Sequence, residues 1–243
     1  MANNAMYNKV FETIKNRIDQ GIYSVGELLP TEQELGEEFK VSRTTIRRAI
    51  ELLSRDNYLY AKQGFGTMVL DYKTKQSLNA ITSISETLRN KGMNVRSKTI
   101  HVDTIEATPS LADKLNVKPG ALIARVQRIQ LADEKPIAIM QNYLIADSVP
   151  DLQRYAKTNM SLYLYIEKEY NISIEKTNDQ ITARSSTFAE AEMLQIPVGA
   201  ALIIFNRICY QQDKAVCVDY ARIVGDRYEF ELTLSGREIY GVK

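Results

Sequence analysis

The 243-residue chain has little of the material from which metal sites and membrane spans are made. Its single histidine, His101, and its two cysteines, Cys209 and Cys217, form no cluster with the spacing of metal ligands, so the sequence does not support a zinc site. No apolar run approaches the ~18 residues that a membrane-spanning helix needs. The first residues, MANNAMYNKV, lack the apolar core and cleavage site of a signal peptide. We therefore expect a cytoplasmic protein that uses no metal, cofactor or membrane.

An excess of either charge is also lacking, since the net charge is only +1. This balance argues against a protein that binds polyanions without regard to sequence. Between Ser42 and Met68, however, five basic residues face two acidic ones: Arg43, Arg47, Arg48, Arg55 and Lys62 against Glu51 and Asp56. Such a focused basic patch suits a protein that docks on a short DNA site as a dimer.

The two cysteines lie on either side of a predicted turn at residues 211–214. They could approach each other across a hairpin, which would allow a thiol switch. Burial as reduced thiols in a cytosolic core is the interpretation that the composition favours.

The stretch from Leu29 to Val69 organises the chain. Thr31 and Glu34 form a capping box that begins a helix ending near Lys40. Ser42 is the predicted N-cap of a second helix. Helical periodicity predicts that this second helix buries one apolar face: Ile46, Ala49, Ile50 and Leu53. Its other face carries Arg43, Thr44, Arg47 and Arg48, as a DNA recognition helix does.

A hairpin follows the basic helix. Residues 58–60 and 67–70 read as strands around a turn at 63–66, and Gly64 and Gly66 would let the backbone approach DNA closely. An apolar stripe predicts a further helix at residues 7–20, before the pair. By composition alone the segment could be a small helical domain with a solvated basic face. The order of capped helix, Arg-rich helix and Gly-containing hairpin favours DNA binding.

These motifs resemble the winged helix-turn-helix of the GntR family of bacterial transcription regulators. The matching segments are Leu29–Glu32, Val41–Arg47 and Gln63–Thr67. The resemblance implies that Arg43 and Arg47 read bases, and that Thr44 and Thr45 with the Ser42 cap hold phosphates. It further implies DNA contacts by Gln33 and by the wing residues Gln63, Gly64 and Gly66. Arg48 either contacts a phosphate or pairs with Glu51 or solvent.

Residues 71–77 are polar and aperiodic, so we assign domains at 1–70 and 78–243 with a linker between them. Beyond the linker, Ser83 predicts a helix that runs to Lys91. A pattern then recurs 79 residues further on: Leu115, Val117, Gly120 and Arg128 return as Leu194, Ile196, Gly199 and Arg207. Two copies of a helix-plus-hairpin unit predict a pseudo-symmetric α+β domain on an antiparallel sheet.

This second part resembles the UTRA domain, the effector-binding module of the HutC-type subfamily of GntR regulators. The supporting residues are Arg128 with residues 131–133, 136–137, 161–163 and 225–228. The resemblance implies a chorismate-lyase-like fold that binds a small metabolite, with Arg128, Ser161 and Tyr163 as contacts. Thr82 and Ser83, at the start of the predicted helix, could add backbone donors for an anion. The alternatives are that Arg128 pairs with Asp133 or Asp179, that Tyr163 is core, and that Thr82 and Ser83 have no ligand role.

Departures from the subfamily pattern concern charge. Amino-sugar-phosphate sensors of this subfamily carry charged residues at positions that align with Gln130, Met140 and Cys217. All three differences remove charge, so we expect a ligand that is less charged than a glucosamine phosphate, or differently arranged. Asp219 could supply a replacement carboxylate, or could be an exposed strand residue.

Two other function classes compete with a DNA-binding regulator. A chorismate-lyase-like enzyme would need a positioned acid, base or nucleophile, and no such residues stand at a recognisable spacing. A winged domain that binds protein would leave the paired arginines and the Gly-containing wing without a role. We therefore predict a homodimeric regulator of double-stranded operator DNA, controlled by a small-molecule effector. Repression relieved by ligand is the commoner family behaviour, and activation remains open.

Overall fold

The structure, a computed structural model, describes residues 2–56, 58–62 and 65–235. The chain divides into two compact units, 1–72 and 73–243. The first unit contains three helices and a hairpin: α1 (Ala2–Asp19), α2 (Glu32–Phe39), α3 (Arg43–Arg55), β1 (Leu59–Lys62) and β2 (Gly66–Val69). This is the predicted order of a winged helix-turn-helix, with α1 beginning five residues earlier than the periodicity indicated.

Local chemistry sets the helix boundaries in the first unit. Thr31 and Glu34 form the predicted capping box of α2, and Lys40 ends that helix in the left-handed conformation at φ 55°. The Ser42 side chain caps α3 by accepting from the Thr45 amide. The predicted apolar face of α3 is buried against α1 and α2: Val10, Ile14, Leu35, Ile46, Ala49, Ile50 and Leu53.

The second unit is an α+β domain on one large sheet. Its elements are β3 (Thr74–Ser77), α4 (Ile84–Asn90), β4 (Val95–Glu106), α5 (Pro109–Leu115), β5 (Leu122–Ala132), β6 (Lys135–Ile145), α6 (Leu162–Tyr170), β7 (Lys176–Ser185), α7 (Phe188–Leu194), β8 (Ala201–Gln211), β9 (Lys214–Val224) and β10 (Tyr228–Glu231). Six of the strands form an antiparallel sheet in the order β4-β5-β6-β9-β8-β7.

The predicted internal repeat is confirmed in the sheet. β5, β6 and α5 recur as β8, β9 and α7, each 79 residues further on, and the two halves meet where β6 pairs with β9. The helices α5 and α7 pack on one face of the sheet, which we call the outer face. The helices α4 and α6 cover the other face, the inner face, which carries Arg128, Met140 and Asp219.

The predicted linker at 71–77 is partly wrong, because residues 74–77 form β3, which pairs with β10 in parallel. Thr74 and Gln76 are buried, while Lys75 and Ser77 are exposed. Gln76 accepts a hydrogen bond from the buried Tyr228 hydroxyl at 2.5 Å. A strand whose inward residues are polar gives no apolar alternation, which is why the pattern was not visible in the sequence.

Glu190 ties α7 to the sheet. Its carboxylate accepts from both Arg184 Nη atoms at 2.6 and 2.8 Å, from the Thr187 amide, and pairs with Arg222 at 3.1 Å. The hydrogen bonds from Arg184, helped by those from Thr187, lower the pKa of Glu190 from 4.5 to about 2. The stabilisation is therefore present above pH 4.5 and is lost as the pH falls toward 2, because the unfolded chain takes up the proton first.

Glu190→Gln should consequently lower the free energy of unfolding at pH 7, and the gap to the parent protein should narrow as the pH falls from about 5 to about 2. Urea unfolding at a series of pH values measures the gap. Glu192→Gln, an exposed change on the same helix, is the control and should leave the profile unchanged. A gap that is constant across this range would show that the Glu190 ion pairs do not contribute as described.

Candidate functional site

The exposed face of α3 carries the predicted DNA contacts. Ser42, Arg43, Thr44, Arg47 and Arg48 are all exposed, and the N-cap leaves the first turn of the helix open to solvent. Arg43 and Arg47 are one helical turn apart, so one docking pose presents both to a major groove.

Both arginines are held by the preceding helix. Arg47 donates from Nε and Nη2 to the Glu32 carboxylate at 3.1 and 2.8 Å. Arg43 donates from Nη2 to Gln33 Oε1 at 2.5 Å. The hydrogen bond from Arg47 lowers the pKa of Glu32, so this carboxylate stays charged. The fork of Arg47 is thus oriented before any DNA arrives, and Glu32 is a functional neighbour that the sequence analysis quoted only as part of a motif.

Some of the predicted DNA contacts have other roles. Thr45 is only 7% exposed, and its hydroxyl lies 2.9 Å from Ser42 Oγ, so it completes the cap instead of facing a phosphate. The Arg48 guanidinium lies 4.5 Å from the centre of the Tyr7 ring, a cation–π contact. Its contact with a DNA phosphate, one of the alternatives from the sequence, stays a prediction.

The wing is described only in part. Gln63 and Gly64 lie outside the described residues. Gly66 begins β2 at φ +112°, a conformation that other residues rarely adopt, and Leu28 lies 3.5 Å from where a Cβ would be. The glycine predicted for close backbone approach is therefore required by the backbone of the hairpin itself.

The second unit encloses a cavity on the inner face of the sheet. Its free volume is about 10 Å³, room for about one water molecule. Six of the nine predicted effector residues line it: Thr82, Ser83, Arg128, Met140, Tyr163 and Asp219. These come from the start of α4, three strands and α6, so the fold gathers residues that are more than 130 positions apart in the chain.

Arg128 begins a chain of buried polar groups in the cavity wall. It is 3% exposed, and its Nη1 donates to Asn142 Oδ1 at 2.6 Å. Asn142 Nδ2 and the Tyr163 hydroxyl in turn donate to the two carboxylate oxygens of Asp219. Arg128 pairs with neither Asp133 nor Asp179, and its Nε has no hydrogen-bond partner among the described residues. A buried N–H without a partner points to a ligand or water as the missing acceptor.

Arg207 is a second buried arginine of the cavity, which the sequence analysis placed only as the repeat equivalent of Arg128. Its Nε and Nη2 donate to Asp179 at 2.7 Å each, and its Nη1 donates to the Thr82 carbonyl oxygen at 2.9 Å. The repeat was the signal that could have found it. Arg207 is held by three hydrogen bonds and an ion pair and so fixes the cavity wall, whereas Arg128 keeps an N–H available.

Three predicted effector residues do not line the cavity. Gln130 is buried and donates to the Arg96 and Leu131 carbonyl oxygens. Ser161 caps α6 and donates to Glu86 at 2.8 Å. Cys217 lies deeper in the core, beneath Asp219. Each side chain is occupied by a structural partner that pattern matching does not reveal.

The two cysteines lie directly opposite each other on β8 and β9, as the hairpin interpretation predicted, and both are buried free thiols. The ligand atoms of Cys209, Cys217 and Asp219 all lie within 4.8 Å of one another. The sequence showed no metal-ligand spacing because the group forms across two strands. Burial, aided by neighbouring Cys209 and Asp219, raises the pKa of Cys217 well above its usual range.

Burial and the Asp219 carboxylate likewise raise the pKa of the Tyr163 hydroxyl far above its usual value. Tyr163 therefore stays protonated and acts as a hydrogen-bond donor.

The outer face of the sheet has a larger and more open cleft of about 430 Å³, lined by nine residues: His101, Gln127, Arg128, Ile129, Ile139, Gln141, Glu190, Met193 and Arg222. Its lining includes the buried Glu190, which pairs with Arg222, and one predicted effector residue, Arg128, whereas six predicted effector residues line the inner cavity. We therefore treat the inner cavity as the candidate effector site.

Two domain families match the chain. The family described as bacterial regulatory proteins, gntR family, matches residues 6–69, and the UTRA domain matches residues 90–229. The chain is a gntR-family transcription regulator with a UTRA domain. The family resemblance and the fold class predicted from the sequence are thereby confirmed.

Similar proteins agree with this assignment. The HTH-type transcriptional repressor NagR of Bacillus subtilis is 30% identical over 227 residues, 93% of each chain. The mannosyl-D-glycerate transport/metabolism system repressor MngR of Escherichia coli is 28% identical over 234 residues, 96% of this chain and 97% of that protein. The crystal structure of PhnF from Mycobacterium smegmatis has the same fold, with a TM-score of 0.65 at 24% identity over 96% of this chain and 100% of that chain.

The gntR-family regulator is accordingly a DNA-binding protein, and its family and relatives are regulators of transcription. Among the described residues, no helix has both the length and the apolar character that crossing a membrane requires.

Proposed function

We propose that this gntR-family regulator is a homodimeric cytoplasmic repressor whose affinity for its operator is lowered by a sugar-derived metabolite bound in the inner cavity. The observation that carries the proposal is the buried Arg128 Nε, which lacks a partner in a cavity that also presents Asp219. The printed names of NagR and MngR, both repressors and one tied to mannosyl-D-glycerate, support repression and a sugar-type ligand.

The DNA side of the proposal rests on Arg43 and Arg47. A guanidinium fork donates to guanine O6 and N7 in the major groove, and the α2 contacts hold both forks in place. The first turn of α3, with Ser42 and Thr44, faces backbone phosphates. One recognition helix reads only a few base pairs, so two protomers on a pseudo-palindromic site supply the specificity.

The ligand side rests on charge balance in the cavity. Arg207 is neutralised by Asp179, which leaves the charges of Arg128 and Asp219 to face the ligand. A polyol suits this pair, because an acceptor oxygen can take the Arg128 N–H while hydroxyls donate to Asp219. This balance supports a ligand that is less charged than a glucosamine phosphate. The uncharged side chains of Gln130 and Cys217, used in the sequence analysis to predict a less charged ligand, do not support that prediction, because both residues lie away from the cavity.

The cavity must open to admit such a ligand, since about 10 Å³ holds only about one water molecule. Two parts of the cavity wall would have to move apart: residues 82–84 at the start of α4, and Tyr163 on α6. If the opened state binds operator less tightly, the coupling is reciprocal, and the metabolite binds less tightly to the DNA-bound protein by the same factor.

A thermal-shift screen of sugars, sugar phosphates and sugar acids should find compounds that raise the unfolding temperature. Gel shifts with duplexes from upstream of its own gene should show salt-sensitive binding that such a compound weakens. Sedimentation should give a dimer, and mass spectrometry should recover the compound unchanged after incubation, since the proposal gives the cavity no catalytic role.

Several results would count against the proposal. The DNA-binding part fails if no duplex is preferred at any salt concentration, with or without ligand. Tight calorimetric binding of glucosamine phosphate would refute the proposed charge class of the ligand. Turnover of the compound would favour the chorismate-lyase-like alternative.

A further inference from the structure

A group of metal-ligating atoms borders the cavity: Asp219 belongs to the cavity wall, and the neighbouring Cys209 and Cys217 have no role in the proposed function. Cys209 and Cys217 are 0% exposed and Asp219 is 6% exposed. We propose that these three residues bind one soft divalent cation of the Zn²⁺ class. The proposal rests on the placement of the three side chains and is independent of the proposed repressor function.

Sheet geometry brings the three ligands together. Cys209 on β8 is the direct register partner of Cys217 on β9, and Asp219 follows two residues later on the same face of β9. Cys217 Sγ lies 2.9 Å from Asp219 Oδ1, and Cys209 Sγ lies 3.9 Å from Asp219 Oδ2. Zinc bonds of about 2.3 Å to sulfur and about 2.0–2.2 Å to oxygen place ligand atoms about 3.5–3.8 Å apart in a tetrahedron. All three atoms lie within 4.8 Å of one another, close to this tetrahedral spacing.

Ligand type selects the ion. Two thiolates and one carboxylate favour Zn²⁺ or Cd²⁺ over Mg²⁺ or Ca²⁺, which prefer oxygen ligands throughout. Three protein ligands leave one tetrahedral position open. Asp219 and Tyr163 are part of the cavity wall, and the Tyr163 hydroxyl lies 3.5 Å from Cys209 Sγ. The carboxylate side of the group therefore borders the cavity.

The charge of the surrounding core also permits a divalent ion. Two buried arginines, Arg128 and Arg207, are balanced by Asp179 and Asp219. When Zn²⁺ binds, the two thiols release two protons to solvent, so the ion adds two positive charges as the sulfurs gain two negative ones. The net charge of the buried region stays the same, which avoids the cost of an uncompensated buried ion.

The test uses the full chain, kept reduced and free of DNA and sugar. Equilibrium dialysis against Zn²⁺ with a competing chelator should give one ion per chain. Titration with Cd²⁺ should produce the ultraviolet thiolate-to-metal absorption. Cys217→Ser and Cys217→Ala should each weaken Zn²⁺ binding by more than the roughly 10- to 100-fold that loss of an outer-shell partner costs. Two substitutions are made so that at least one gives a chain with a normal melting curve.

His101→Gln is the matched control. His101 is exposed and lies 3.5 Å from Asp103, so this pair is a surface site at which Zn²⁺ could bind adventitiously. The proposal expects the control variant to keep its Zn²⁺ and its Cd²⁺ absorption. It is overturned if the folded parent protein retains no ion, or if a folded Cys217 variant binds Zn²⁺ as tightly as the parent; loss of the ion in His101→Gln would also overturn it, by placing the ion at the surface pair.

Discussion

Arg47→Ala is expected to abolish preferential operator binding while leaving the melting temperature unchanged. Arg47 is exposed, with 63% of its side chain in solvent, and it belongs to no apolar cluster, so the fold does not depend on it. Each recognition helix would lose one bidentate donor to a base pair, and a dimer loses two. The combined weakening should be on the order of 100-fold or more, confined to the operator and absent on random duplex.

Fluorescence anisotropy with operator and scrambled duplexes at one salt concentration measures this difference. Arg48→Ala is the control, because Arg48 packs on Tyr7 and is not aimed by α2. It should weaken both duplexes by a similar and smaller factor, as loss of a phosphate contact does. Glu32→Gln should weaken operator binding by a factor between those of Arg47→Ala and Arg48→Ala, because it leaves Arg47 in place but less firmly oriented. If Arg47→Ala lowers the melting temperature as much as the DNA affinity, the recognition role is wrong.

Arg128→Leu should give a regulator that binds its operator normally and no longer responds to metabolite. The substitution removes the only buried N–H of the cavity that lacks a partner among the described residues and keeps an apolar side chain in the wall. A hydrogen bond to a charged donor contributes about 1.5–3 kcal/mol, so metabolite affinity should fall about 10- to 100-fold. Since the operator affinity is untouched, the cellular consequence is repression that inducer does not relieve.

Calorimetry with the compound that gives the largest thermal shift measures the loss, and gel shifts with and without that compound measure the response. Arg125→Leu is the matched control. Arg125 lies on the same strand, faces the outer side and pairs with Asp103 at 2.5 and 2.9 Å. The Arg125→Leu protein should lose this ion pair and keep the response of operator binding to the compound. An Arg128→Leu protein that still responds fully would move the metabolite site away from the inner cavity.

Local chemistry explains how much of the fold could be predicted. Thr31 with Glu34, Ser42 and Ser83 each fix a helix start within a few residues, so capping arguments found those helices. The 79-residue repeat that relates Arg128 to Arg207 predicted that the sheet contains two copies of one unit. By contrast, β3 was missed because its buried residues, Thr74 and Gln76, are polar.

Long-range geometry explains what could not be predicted about the site. Asn142 joins Arg128 to Asp219 only because β5, β6 and β9 are neighbours in the sheet, and the sequence does not say which strands meet. The occupation of Ser161 by Glu86 depends on how α4 and α6 pack. Both arrangements require the register and the packing, which residue patterns alone leave open.

The two halves of the duplicated sheet differ opposite their equivalent arginines, Arg128 and Arg207. In the second half, Asp179 sits directly across from Arg207 and saturates it, whereas in the first half the pairing of β4 slips between Lys98 and His101, opposite Arg128. The β4 residues at this slip, Thr99 and Ile100, are not acidic, so Arg128 has no counterpart of Asp179 on the neighbouring strand. The duplicated halves thus keep an arginine at both positions and an acidic partner on the neighbouring strand at only one of them.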